Sequence, residues 1–356
     1  MNFQPLKNRV DELADRLLPC GDVRVWQDGR ELFSYRTGCL NPENALPLTG
    51  EERFPGFSVT KTMTCTCALR YADRGLIRLD DRLSDYIPEF ADMSVCDTDA
   101  AGKHIRKAKT AVTLRHLFTM TSGFSYEDGD LKGKTALECV LPLAERPLLF
   151  DPGTHWYYGL SHDVLGAVLE KTGGKPLGEI LKEELTDPLG MKSTCLLTDL
   201  RDCAELAPLF RAGKDGGYES APSALLMPPA RYVSGGAGIV TGASDYIRFL
   251  DALCTGRLLK AETLAEMTKN ALGEAQKKDL FWPQLRGYGY GLGCRTLLEG
   301  APSPSPAGEA GWGGMAGAYT LIDVKNRLSM CFFTNVLQAD EVRIHFGLRD
   351  ALYESL

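Results

Sequence analysis

No apolar run in the chain approaches the roughly 20 residues that a bilayer-spanning helix needs, so a transmembrane protein is not expected. No secretory leader is expected either. The N-terminus instead spaces Leu6, Val10, Leu13 and Leu17 as one face of an amphipathic helix. The expected compartment is the cytoplasm. Positive charge is in deficit: 40 Lys and Arg face 47 Asp and Glu, a formal net charge of −7. Nucleic acid or an anionic membrane would want a basic face, so neither is an expected partner. The one basic run, His104 to Lys109, reads as a solvated loop. No Cys-x-x-Cys occurs, and no metal-ligand spacing is visible. Eleven cysteines, odd in number and scattered, do not make a disulfide framework. Cys65 and Cys67 lie two apart on an expected helix and point to different faces. They read as free buried thiols in a reducing compartment. No metal and no cofactor is expected. A Gly-x-Ser-x-Gly elbow is absent too, so His116, His155 and His162 read as structural or exposed, not as triad members.

The chain has 356 residues, 44% hydrophobic and 24% charged, enough for a large core in one domain or two intimate lobes. After the first helix, Val23 to Trp26 alternates, Asp28-Gly29 suits a tight turn, and Glu31 to Arg36 returns as a hairpin. Phe57-Ser58 opens a helix expected to run to about Arg74 and stop at Gly75. Short helices are expected over Leu114 to Thr119, Asp163 to Lys171, Pro176 to Leu185 and Ser244 to Cys254. Strand patterns return at Tyr288 to Arg295, Ala318 to Asp323 and Leu328 to Thr334, the last two joined by a turn at Lys325-Asn326. A final helix places Ile344, Leu348, Ala351 and Leu352 on one face. Strands at both ends with helices between suggest an α+β fold, one antiparallel sheet built from both termini with a helical insertion. Residues 1–57 with about 231–356 would form the α/β lobe, and about 58–230 the helical lobe, of one domain spanning 1–356. No repeat is visible, and Ala301 to Pro306 reads as an exposed Pro/Ser loop.

Three constellations carry chemistry. In Ser58-Val59-Thr60-Lys61 the lysine falls one helical turn after the serine, on the same face. A serine hydroxyl is a poor nucleophile until a base takes its proton. A lysine serves as that base only if burial or nearby positive charge lowers its pKa. The start of a helix also offers unpaired N–H groups to a developing oxyanion. By itself the tetrapeptide reads more readily as a capping serine beside a solvated lysine. The second constellation is Trp156-Tyr157-Tyr158-Gly159-Leu160-Ser161-His162-Asp163. A phenol held near Lys61 could share the base role, its anion stabilised by the ammonium. Core packing is the alternative for these aromatic residues. The third is Gly311-Trp312-Gly313-Gly314-Met315-Ala316-Gly317, whose glycines let backbone approach a ligand closely or make a tight turn.

In this order the three resemble the serine β-lactamase-like family: class C β-lactamases, DD-peptidases and the related family VIII-type esterases. The likeness runs from about Gly21 to the end. It takes in Leu79 to Pro88, Leu114-Arg115-His116-Leu117 with Thr121-Ser122-Gly123, and Ser234 to Gly238 before Ser244-Asp245-Tyr246. The resemblance implies a β-lactamase/transpeptidase-like fold and roles by position. Ser58 would be acylated. Lys61 and Tyr158 would act together as general base and then acid. The backbone N–H groups of Ser58 and Met315 would form the oxyanion hole. Trp312, Gly313 and Gly314 would line the substrate groove, where lactamases carry Lys-Thr-Gly. Tyr158 is not followed by the Asn of the lactamase Tyr-x-Asn pattern, and Trp312 replaces the cation that holds a drug's carboxylate. Both departures weigh against β-lactamase action, and Trp156-x-Tyr158 with Asp163 five residues after the tyrosine, plus Trp312-Gly313-Gly314, is more similar to the esterase branch.

The reading is therefore a serine hydrolase cleaving small carboxylic esters through an acyl-enzyme, acting as a monomer or homodimer on a small-molecule ester or amide. The rivals are an amidase, D-amino-acid peptidase or β-lactamase of the same family, and a non-enzymatic scaffold or sensor. Pocket size rests on the loops Tyr126 to Lys134, Pro208 to Pro229 and the Pro/Ser run before Trp312.

Overall fold

The computed structural model describes residues 1–99, 102–128, 132–197, 206–213, 215–221 and 232–356. The expected lobe boundary near residues 230–231 lies outside them, as do parts of the loops 126–134 and 208–229. The helix Gln4–Arg16 buries Leu6, Val10 and Leu13. The helix Glu341–Ser355 buries Ile344, Leu348, Ala351 and Leu352. The two lie against each other and cover one face of a sheet, where Val23, Val25, Leu321, Met330 and Phe332 meet them. Burying each such side chain contributes about 1.5–3 kcal/mol before the entropy of ordering is counted.

That sheet has eight strands. In spatial order they are Tyr288–Tyr290, Arg295–Leu297, Ala310–Gly311, Tyr319–Asp323, Leu328–Phe333, Cys20–Gln27, Arg30–Asn41 and Leu46–Pro47. All pairs within it are antiparallel. The two ends of the chain meet at its centre, where Asp22 opposes Phe333 and Gln27 opposes Leu328. The expected hairpin turns at Asp28 and Gly29, both at positive φ, as a right-twisting two-residue turn requires. The turn after Asp323 is tied by its carboxylate, which accepts from Asn326 N at 3.0 Å and Asn326 Nδ2 at 2.7 Å.

Between the two sheet-forming segments the chain is largely helical, with Thr60–Asp73, Leu114–Phe118, Ala136–Val140, Ser161–Gly173 and Leu177–Leu181. The fold is thus the expected α+β, β-lactamase/transpeptidase-like arrangement. Three local readings need correction. Tyr288 to Arg295 is two strands rather than one: Gly291 N donates to Cys294 O at 2.8 Å, and Gly293, at φ 87°, reverses the chain. Pro176 to Leu185 is an α-helix only to Leu181, and a wider i→i+5 turn over Lys182–Thr186 follows. That turn carries Glu184, which accepts from Arg70 Nε at 2.8 Å and Arg74 Nη2 at 2.7 Å. The basic run is not a loop. Gly102–Lys107 is a strand paired with Ser94–Asp99, and Arg106 forks onto Asp97 and Asp151. Acidic partners across the strand and on a neighbouring loop neutralise a charge that sequence order leaves isolated.

Candidate active site

The short strand Phe54–Pro55 pairs with Ile239–Thr241, which pairs in turn with Cys195–Leu196. Gly56 N donates to Ile239 O at 2.9 Å and anchors the turn that follows. Phe57 sits at φ 45°, a left-handed conformation that costs a residue with a β-carbon on the order of 1–3 kcal/mol. Its ring is held in a buried cluster with Leu209, Ala221, Ala316 and Leu337. Ser58 therefore stands on one tight turn, Phe57–Val59, that feeds directly into the helix Thr60–Asp73. Thr60 Oγ1 donates to Phe57 O at 2.5 Å and accepts from Ile239 N at 3.0 Å, and Tyr246 OH donates to Val59 O at 2.8 Å.

The helix is buried on every face from Thr60 to Leu69, and Lys61 is 0% exposed. Its ammonium donates to Gly236 O at 2.7 Å, Tyr126 OH at 3.0 Å and Ser58 Oγ at 3.3 Å. Three N–H bonds thus meet three acceptors. Nζ also lies 4.6 Å from the centroid of the Tyr158 ring. The expected lowering of the lysine pKa is not found. Burial does oppose the charge, but Tyr126, Tyr158 and Asp163 outweigh it and raise the group above its ordinary value. These neighbours therefore favour the ammonium.

Asp163, five residues after Tyr158, is buried under this site. Its Oδ1 accepts from Tyr232 OH and Ser234 Oγ, each at 2.6 Å, and from Gly236 N at 3.2 Å. The carboxylate thus fixes the loop whose carbonyl receives Lys61. Trp312 is almost fully buried, stacks on Tyr158 with centroids 5.4 Å apart, and donates its indole N–H to Tyr158 OH at 3.1 Å. The indole is at once a wall and a hydrogen-bond donor to the phenol oxygen.

No acceptor among the described residues takes the backbone N–H of Ser58 or of Met315. Neighbouring N–H groups are used: Gly314 N donates to Ala318 O at 2.9 Å and Gly317 N to Gly314 O at 2.8 Å. Gly314 passes so close to the turn before Ser58 that a β-carbon there would lie 2.6 Å from Gly56 O. Only glycine lets the two backbones approach this closely.

Ser58, Tyr158, Trp312, Gly313, Gly314 and Met315 all line one cleft of about 520 Å³, with Lys61 beneath its floor. The sequence positions are thus brought together. Missing from the sequence reading are Tyr126, the Gly236 carbonyl, and Trp282, which packs edge-on to Tyr158 at 5.1 Å. Tyr126 keeps part of its surface exposed while its hydroxyl reaches Lys61, and burial of that hydroxyl pushes its pKa up. It follows Thr121-Ser122-Gly123 by three residues, the one signal that could have singled it out.

The three histidines are structural or exposed, as expected. His116 Nδ1 accepts from Thr113 N at 3.2 Å, and His155 is an exposed neighbour of Asp279 at 3.1 Å. His162 is fully buried, and its Nε2 meets Phe118 O at 3.3 Å. Burial, with the Lys61 charge, pushes its pKa down to about 3. In the unfolded chain a histidine takes a proton near pH 6.5. Between those values the unfolded state binds more protons, so this group's contribution to stability falls as pH drops below about 6.5. From pH 7 to pH 5 the wild type is expected to lose about 2 kcal/mol more than His162→Leu. Urea unfolding of both proteins at the two pH values measures the difference; equal losses would show that His162 is not held neutral.

The β-lactamase family profile matches residues 6–353. The chain belongs to the β-lactamase family and is a serine hydrolase within it. It is 29% identical over 380 residues to Esterase EstB of Burkholderia gladioli, covering 96% of this chain and 92% of that one. Acyltransferase calJ of Penicillium decumbens is 28% identical over 354 residues, covering 88% and 83%. Among solved structures, EstCE1, a hydrolase with promiscuous acyltransferase activity, matches with a TM-score of 0.84 at 26% identity, covering 99% of both chains. Simvastatin synthase from Aspergillus terreus, as the LovD6 mutant, shares the fold with a TM-score of 0.83 at 23% identity, covering 98% and 94%. Among the described residues no helix is long and apolar enough to cross a membrane.

Proposed function

We propose that the protein hydrolyses small carboxylic esters through an acyl-enzyme on Ser58. The observation that carries this reading is the 3.3 Å contact between Lys61 Nζ and Ser58 Oγ at the floor of an aromatic-walled cleft. Ser58 Oγ attacks the ester carbonyl carbon, and its proton passes to the phenolate of Tyr158. The Lys61 ammonium stabilises that phenolate, and the Trp312 N–H bonds its oxygen. Negative charge on the carbonyl oxygen is received by the N–H groups of Ser58 and Met315. As the tetrahedral intermediate collapses, the C–O bond to the alcohol breaks and the Tyr158 phenol returns the proton to the leaving oxygen. Water then attacks the acyl carbon as Tyr158 takes its proton; the bond from the acyl carbon to Ser58 Oγ breaks, Tyr158 returns the proton to Oγ, and the acid is released. Residues 1–57 with about 231–356 and residues 58–230 are read as two lobes of one domain. One supplies Trp312 to Met315, the other Ser58, Lys61, Tyr126 and Tyr158.

Esters are preferred to β-lactams because Trp312 stands where a cation would hold a drug's carboxylate, and an indole cannot replace that charge. The names of EstB and EstCE1 support the same choice. Turnover of p-nitrophenyl butyrate is expected to exceed that of nitrocefin and of D-alanyl amides by at least about 100-fold in kcat/KM, a difference of two ten-fold steps in transition-state binding. Nitrocefin turnover above ester turnover would overturn the reading. A second outcome for the acyl-enzyme, transfer to an alcohol, is favoured by the name of calJ and the description of EstCE1. Adding an alcohol to the ester assay would then yield a new ester at the expense of free acid. Cys20, Cys65, Cys67, Cys254, Cys294 and Cys331 are free and buried, which supports a reducing compartment and so the cytoplasm. A monomer or homodimer is the proposed state.

A further inference from the structure

The cleft extends into a polar recess that the proposed mechanism does not use. Arg295, on the short strand Arg295–Leu297, and His345, on the C-terminal helix, both line it, together with Gln284 and Glu341. Arg295 is 2% exposed. Its Nη2 donates to Thr320 O at 3.0 Å and Glu309 Oε1 at 3.2 Å, and the guanidinium lies over the rings of Tyr288 and Tyr319, but Nη1 is buried with no hydrogen-bond partner among the described residues. His345 is 5% exposed, and neither of its ring nitrogens has a partner there. Its ring stacks on Tyr319 with centroids 4.7 Å apart, and the Tyr319 hydroxyl is a third orphan. The position of the imidazole is set by Gly313, where a β-carbon would lie 2.8 Å from His345 Cε1 and 3.0 Å from Nε2. His345 therefore stands directly behind the Trp312-Gly313-Gly314 wall.

Buried polar groups without partners are rare in folded proteins. Several gathered on and beside side chains that line a substrate cleft mark a place that an incoming atom completes once a small side-chain shift opens it. The charges of the recess limit what that atom can be. Arg295 is already matched by the buried Glu309 at 3.2 Å, and Arg349 by Asp350 at 2.8 Å. Glu341, bonded by Gln284 Nε2 at 2.7 Å, adds a further acid, whose pKa burial pushes up. Burial and the Arg295 charge push the His345 imidazole well below its ordinary pKa, so it is neutral. A carboxylate would meet two acids for one guanidinium that is already shared. A ketone, amide carbonyl or hydroxyl oxygen meets no such repulsion and accepts an N–H.

We propose that this recess is a specificity subsite for a neutral oxygen-bearing substituent of the ester substrate, bound by Arg295 Nη1 and the His345 ring. The inference rests on the esterase reading, and the test separates the two. Two ester series are compared: p-nitrophenyl esters of oxo-acids of increasing length, and acetates of ether- or hydroxyl-bearing alcohols. Each is run against its apolar twin of equal length and against a carboxylate-bearing analogue, on wild type, His345→Phe and Arg295→Met. His345→Phe keeps an aromatic ring against Tyr319, slightly larger than the imidazole, and removes both nitrogens. Turnover of the apolar twins reports the esterase reading. The ratio of oxygenated to apolar substrate within one protein reports the subsite, and a folding loss cancels from it. At least one oxygenated ester is expected to exceed its apolar twin about tenfold in kcat/KM in wild type, the ratio returning toward one in both variants. Ratios at or below one throughout, a preference that survives both substitutions, or the carboxylate analogue being best would each overturn the proposal.

Discussion

Ser58→Ala is expected to lower kcat/KM for p-nitrophenyl butyrate on the order of 10⁴-fold or more, because without the hydroxyl no acyl-enzyme forms. A fluorophosphonate should add one adduct mass to wild type and none to the variant. The substitution should barely alter the fold. Ser58 is half-buried on a turn held by Gly56, Thr60 and Tyr246, and its Oγ meets only Lys61 Nζ, at 3.3 Å, among the described residues. The expected stability change is under about 1 kcal/mol. An unchanged thermal midpoint with lost activity fits the nucleophile role. An identical adduct on Ser58→Ala, or activity within tenfold of wild type, excludes it.

Lys61→Met is expected to lower kcat/KM about 10³-fold, within the range of lost acid–base assistance. The ammonium bridges Gly236 O, Tyr126 OH and Ser58 Oγ and faces the buried Asp163. A methionine fills the space and leaves that carboxylate without its cation, so a lower thermal midpoint should accompany the loss. Because its folded pKa is raised above 10.5, Lys61 keeps its proton throughout the neutral range, and the ammonium is lost only as pH rises beyond that value. Lys61→Arg, which keeps a cation but cannot act as a base, should therefore retain at least about tenfold more activity than Lys61→Met. If the two variants are equally inactive while both remain folded, Lys61 acts as a neutral base instead.

Local spacing made the first pair legible. Ser58 and Lys61 are three residues apart, so a helical turn alone brings them together. The same holds for the amphipathic faces of Gln4–Arg16 and Glu341–Ser355, and for the turn at Asp28-Gly29. Glycines placed Trp312 to Gly314 on backbone able to approach a ligand closely, though not which backbone it approaches, which is that of Gly56. Periodicity failed where charge or glycine acted through distant neighbours. Arg106 is drawn into a strand by Asp97 and Asp151, and Gly293 breaks an apparently continuous strand.

By itself, then, the sequence determined the candidate nucleophile and its lysine, the strand-rich termini and the family's order of motifs, because each depends on short spacing or on order along the chain. The tertiary structure alone decided the charge of Lys61. That is set by Tyr126 and Tyr158, 65 and 97 residues further on, and by Asp163, groups that only packing brings around one buried ammonium. It alone also placed Arg295 and His345 in one recess, since the strand that carries Arg295 belongs to the sheet that the final helix covers.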